Sequence, residues 1–137
     1  MNEEIMETNF NEIAKQIHAG NVARGFDGNI EKGTALMLVV SELAEALEAD
    51  RNNRYANKNQ YIKDMQSPIS EHEAANQTEI FKYYFEQHIK DTFEDEITDA
   101  MIRLFNLAGL YNIDLDFHIR EKLTYNATRE FKHGKKY

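Results

Sequence analysis

Residues 35–53, "ALMLVVSELAEALEADRNN", decide the fold. Leu36, Val39, Val40, Leu43 and Leu47 recur at helical spacing, and Asn52 and Asn53 stand where such a helix would stop, so a helix is predicted over about residues 30–52. Glu42, Glu45 and Glu48 interrupt this apolar run. With about 100° of rotation per residue, Glu42 and Glu45 share a face, and the main apolar stripe is centred roughly 110° from the first and roughly 170° from the second. The stripe is expected to be core. Yet Ala35, Leu38, Ala46 and Ala49 fall within roughly 40° of Glu42, which makes the acids' own sector small and apolar, so this second face is expected to be covered as well. The residues one turn beyond Glu42 and Glu45 are Ala46 and Ala49 rather than the lysines or arginines that a solvated face favours. Glu48 reads as a solvated residue.

Working outward from this helix, one proline, six glycines and long stretches of 3.6-residue periodicity predict an all-α chain. Met6, Phe10, Ile13 and Ile17 predict a first helix over about residues 3–19, stopped near Gly20. Residues 53–69 are polar and broken at Pro68. Ser70 and Glu73 spell a capping box for a helix carrying Phe81, Tyr84, Phe85 and Ile89 on one side. A second capping box, Thr92 to Asp95, opens a helix with Ile97, Met101, Leu104, Phe105 and Ala108 inward, ending near "GLYN". Asp114 caps a last helix that reaches about Arg129 and turns Leu115, Ile119 and Leu123 inward. The expected architecture is a four-helix bundle with a helical insertion between the second and third core helices, in one domain over residues 1–137.

The chain has 137 residues, a formal charge of −8 and no cysteine. Disulfides, thiolate metal sites and cysteine nucleophiles are excluded, and any metal site must use oxygen or imidazole. The acidic balance works against a nucleic-acid partner, which requires a basic surface to release counterions. No apolar run is long enough to cross a bilayer and the first residues are acidic, so a cytoplasmic protein without a membrane partner is expected.

"EDEITDAMIRL" repeats the acidic spacing: Glu96 and Asp99 are three apart, followed one turn later by Arg103. Two helices thus each offer a carboxylate pair. Facing each other, four acids would repel strongly in a partly dry site, and a divalent cation is the usual remedy; oxygen-only ligands point to Mg²⁺, with Mn²⁺ as an alternative. The spacing also arises by chance in an acidic chain, as Glu4 with Glu7 and Glu45 with Glu48 illustrate. Arg103 suits either an ion pair with Asp99 or contact with a phosphate. On the last helix His118, Lys122, Asn126 and Arg129 follow one face with Tyr125 beside it, a row of donors suited to phosphate oxygens or, equally, an ordinary solvated face. Phe26, in the loop "GNVARGFDGN", is a candidate for stacking on a base, with plain packing as the alternative. A di-iron bundle needs two Glu-x-x-His pairs, and Glu130 with His133 is the one pair at that spacing.

In order along the chain, "SELAEALEADR", "FEDEITDAMIRLFNLAGLYNIDLD" and "REKLTYNATREFKHGKKY" resemble the MazG-like all-α nucleoside triphosphate pyrophosphohydrolases. The likeness covers most of residues 20–137. It rests on an E-x-x-E helix at Glu42 and Glu45, an E-x-x-D helix at Glu96 and Asp99, and K-x-x-x-N-x-x-R at Lys122, Asn126 and Arg129. Ser41 stands where the family often has a further glutamate, and the acidic motifs are unusually far apart. The resemblance implies Mg²⁺ held by Glu42, Glu45, Glu96 and Asp99 and a triphosphate held by Lys122, Asn126 and Arg129. It implies water attack at the α-phosphorus, giving a nucleoside monophosphate and pyrophosphate, with one of the glutamates as proton acceptor. It also implies a homo-oligomer, dimer or tetramer. The competing reading is a non-catalytic helical oligomer that serves as a nucleotide sensor or protein-interaction module.

Overall fold

The computed structural model describes residues 9–26, 28–67 and 76–129. Among these the regular structure is entirely helical: α1 Phe10–Ala23, α2 Lys32–Arg51, α3 Lys58–Gln66, α4 Gln77–His88, α5 Phe93–Leu110 and α6 Leu115–Ala127. The chain divides into two compact units, one formed by residues 30–103 and one by the segments before and after them, so that α5 begins in the first and ends in the second.

Within residues 30–103, the polar stretch after α2 is not a plain loop, because it holds α3. Periodicity failed to mark this helix because it buries no large apolar stripe; its polar side chains secure it instead. The Asn57 side chain caps its first turn by accepting from the Gln60 amide at 3.1 Å. Asp64 then accepts from Gln60 Nε2 at 2.7 Å and pairs with His88 Nε2 of α4 at 2.7 Å. The Asn57 amide adds a 2.9 Å bond to the His88 carbonyl, and the His88 ring lies parallel to Tyr84. The capping box expected at Ser70 and Glu73 lies outside the described residues. Asn76 and Glu79 form the box that opens α4, with reciprocal backbone bonds of 3.0 and 3.3 Å. At the start of α5 Thr92 caps as expected, accepting from the Asp95 amide at 3.4 Å. Asp91, in left-handed backbone at φ 58°, gives its amide to Asp95 at 2.9 Å.

The face α2 buries is the reverse of the one its large residues predict. Ala46, Ala49 and Glu42 are buried together with Val39, whereas Leu36, Val40, Leu43 and Leu47 are each about half exposed. On α5 the same inversion holds: Glu96 and Ala100 are buried, and Met101 and Leu104 are about half exposed. Close packing explains it. Small side chains let a helix axis approach its neighbour, and the Ala and Glu sector of α2 is the one that meets the acids of α5.

In the other unit small residues again set the approach. A Cβ on Gly109 of α5 would lie 2.6 Å from the Ala14 carbonyl oxygen of α1, and both Ala14 and Ala108 are buried. Asp114 caps α6 by accepting from the Phe117 amide at 3.1 Å, and Asp116 accepts the first amide of α1, from Phe10, at 2.9 Å. Leu115 and Ile119 of α6 are half-buried, but Leu123, expected inward, is exposed.

Candidate functional site

Glu42, near the middle of α2, and Glu96 and Asp99, in the first two turns of α5, bring carboxylate oxygens within 4.8 Å of one another. The alanines of the shared face allow the approach. Glu96 is only 6% exposed, and no hydrogen bond to its carboxylate is formed among the described residues. Its pKa is raised, first by burial and then by the charges of Glu45, Asp95, Asp99 and Glu42. That of Asp99 is raised by burial and by Asp95, Glu42 and Glu45, against the opposing pull of Arg103. Both shifts combine desolvation with the charge of neighbouring anions, on a buried residue for Glu96 and on an exposed one for Asp99.

Glu45, the fourth expected ligand, is exposed and outside the tight trio, although its charge is felt by Glu96 and Asp99. Glu48 is exposed and accepts from the Asn52 side chain at 2.9 Å. Arg103 pairs with Glu42 rather than with Asp99, the acid one turn before it. Its Nε lies 2.5 Å from Glu42 Oε1, across from its own helix, and it is not paired with Asp99. Glu96 also belongs to a second group of acids with Asp91 and Asp95, for which the density of acids ahead of Glu96 was the sequence signal. Asp95 is already engaged there, its carboxylate accepting from the Asp91 amide and its own amide donating to the Thr92 hydroxyl.

The trio fits a small hard cation. Their oxygens lie within 4.8 Å of one another, close enough that these three side chains could hold a divalent cation between them. The donors are all oxygen, and Glu96, a buried residue whose carboxylate has no hydrogen bond among the described residues, is one that a cation would satisfy.

The donor row lies in the other unit. Lys122 Nζ sits over the Tyr125 ring at 5.3 Å from its centroid, and His118, Ile119, Glu121, Lys122, Leu123 and Tyr125 line an open cavity of about 580 Å³. The Asn126 Oδ1 atom is buried without a hydrogen-bond partner among the described residues. Arg129 lies beyond the end of α6 and is exposed, and so has left the helical row that its spacing predicts. Phe26 is 68% exposed, which excludes plain packing as its role within the chain. Glu130 and His133 lie outside the described residues.

Comparison of the chain with known protein families, with curated proteins and with solved structures finds no match.

Proposed function

We propose that the chain is a Mg²⁺-dependent hydrolase of the MazG-like kind, cleaving nucleoside triphosphates to the monophosphate and pyrophosphate, with a role in clearing nucleotides from the cellular pool. The observation that carries this reading is the convergence of Glu42, Glu96 and Asp99 from two helices to within 4.8 Å of one another, with Glu96 a buried residue whose carboxylate has no hydrogen bond among the described residues. Glu42, Glu96 and Asp99 hold the ion, Mn²⁺ serving in place of Mg²⁺, and Glu45 stands at the exposed margin as a further carboxylate. When bound, the ion neutralises phosphate charge and activates a water for attack on phosphorus. A glutamate of the group accepts the proton released, a task suited to a carboxylate whose pKa burial and like charge have raised. Lys122, Asn126 and Arg129 supply donors to the phosphates and sugar, the lysine as a point charge and the arginine as a planar fork. Phe26, exposed on its loop, is available to stack on the base.

The reading includes a homo-oligomer. Leu36, Val40, Leu43 and Leu47 follow the 4-3-4 spacing of a helix-pairing seam, and Met37 and Ala44 beside it add no charge. In a chain of net charge −8, an uncharged stripe is where two copies approach with least repulsion. The same stripe favours the second reading, a non-catalytic helical interaction module or nucleotide sensor. No helix among the described residues is long and apolar enough to cross a membrane. A cytoplasmic setting belongs to the proposal, in keeping with a fold that uses no cysteine.

The test is a panel of canonical and modified nucleoside triphosphates with Mg²⁺, read as pyrophosphate release from wild type and from Asp99→Asn. Turnover by wild type and a loss of at least about a hundredfold in the variant is expected. No turnover of any substrate, or equal turnover by the variant, leaves the interaction module as the better reading.

A further inference from the structure

Arg103 holds a position the proposed reaction does not require. Its guanidinium pairs at 2.5 Å with the carboxylate of Glu42, whose side chain is 10% exposed, while its own side chain is 42% exposed. It projects from α5 one turn beyond Asp99 and two beyond Glu96, and bonds not to these acids of its own helix but to Glu42 of α2. Of the three carboxylates whose oxygens lie within 4.8 Å of one another, Arg103 is bonded to that of Glu42 and its charge is felt by Asp99, while the Glu96 carboxylate has no hydrogen-bond or ion-pair partner among the described residues.

We propose that Arg103 is a built-in counter-ion of the carboxylate trio: it occupies Glu42 while the metal site is empty, competes with the divalent cation for that oxygen, and is freed by the cation to pair with an anionic ligand. The inference rests on the trio being a cation site. Two physical arguments support it. A guanidinium and a divalent cation that draw on the same carboxylate oxygen repel each other, so each weakens the other's hold. The guanidinium is also half in solvent already, so leaving Glu42 costs it little desolvation, whereas Glu42 itself is buried and stays in place for the ion. Once displaced, the planar fork is next to a cation that binds phosphate oxygens, and its bidentate donors suit the same oxygens. Arg103 is thus a positioning residue that couples cation binding to anion binding.

The experiment measures Mg²⁺ and Mn²⁺ binding by calorimetry, with and without inorganic pyrophosphate, for wild type, Arg103→Gln, Arg103→Lys and Glu96→Gln. Folding of each variant is checked by its helical circular dichroism. Arg103→Gln is expected to bind the cation about tenfold more tightly than wild type. The wild-type gain in pyrophosphate affinity on adding Mg²⁺ is expected to shrink by a similar factor in Arg103→Gln. Arg103→Lys keeps the charge and is expected to keep the weaker, wild-type cation affinity. Unchanged or weaker cation binding by Arg103→Gln, with Glu96→Gln still abolishing it, overturns the counter-ion proposal and leaves the cation site standing. Cation binding that Glu96→Gln does not reduce overturns both.

Discussion

Glu96 shows how one residue can be costly to the apoprotein and useful to a site. Its carboxylate is buried among like charges, so its pKa stands above the ordinary value near 4.5. The folded state therefore holds its proton more tightly than the unfolded chain does. The contribution of this group to stability is greatest below the unfolded value and is lost as pH rises through the folded one. Asp99 acts in the same direction. Asp114 acts in the opposite one, because the Asn11 side chain and the Phe117 amide both bond its carboxylate and lower its pKa. To isolate Glu96, chemical denaturation of metal-free wild type is to be compared with Glu96→Gln across pH 4 to 8. The variant is expected to gain on wild type steadily as pH rises, and a constant difference would show that the carboxylate is not destabilised. The pairing of Glu96 with Asp99 was legible from their spacing. The capture of Glu42 by Arg103 was not, because spacing along one helix cannot reveal a partner on another.

At the scale of the element, the sides of α2 and α5 that carry the acid trio are also the sides where small residues are buried. Ala46, Ala49 and Ala100 are almost fully buried, and Gly109 lies so close to α1 that a methyl group would meet the Ala14 carbonyl at 2.6 Å. Gly109→Ala therefore sets two effects against each other. Helix propensity gains up to about 1 kcal/mol, and overpacking against rigid backbone costs about 1 to 3 kcal/mol. The clash is with a main-chain atom that cannot rotate away, so net destabilisation is expected, measured as a lower urea midpoint with unchanged slope. A rise in the midpoint would show that α1 shifts freely. The periodic helices α1, α2, α4, α5 and α6 were readable because apolar side chains recur at helical spacing. The short helix α3 was not, since its contacts to α4 run through Asp64 and His88 rather than through an apolar stripe.

At the scale of the whole molecule, the half-exposed stripe of α2 bears on assembly. Leu36, Val40, Leu43 and Leu47 are each about half exposed along one side of α2, and contiguous exposed apolar surface of this kind is a common mark of an interaction face. A standard interface needs about 800 Å² from each partner, so an assembly built on this stripe would draw on flanking residues as well. Light scattering of wild type is expected to give a dimer or larger species, and Leu43→Glu a monomer with its helical content intact, because a charge in the centre of a dry seam has no partner. A monomeric wild type at tens of micromolar would sink the oligomer reading.

The amino-acid order by itself determined that the chain is helical, where five of its helices lie, which residues cap α5 and α6, and that Glu42 shares a covered, alanine-lined face. These are local matters of periodicity and hydrogen-bond chemistry within a few residues. Only the tertiary structure decided that α2 buries Ala46 and Ala49 and leaves Leu36, Leu43 and Leu47 half exposed, that Glu45 stands apart from the trio, and that Arg103 reaches Glu42. Hydrophobic size says how much burial would stabilise a helix, but the neighbour that comes nearest decides which face receives it, and close approach favours the smallest side chains.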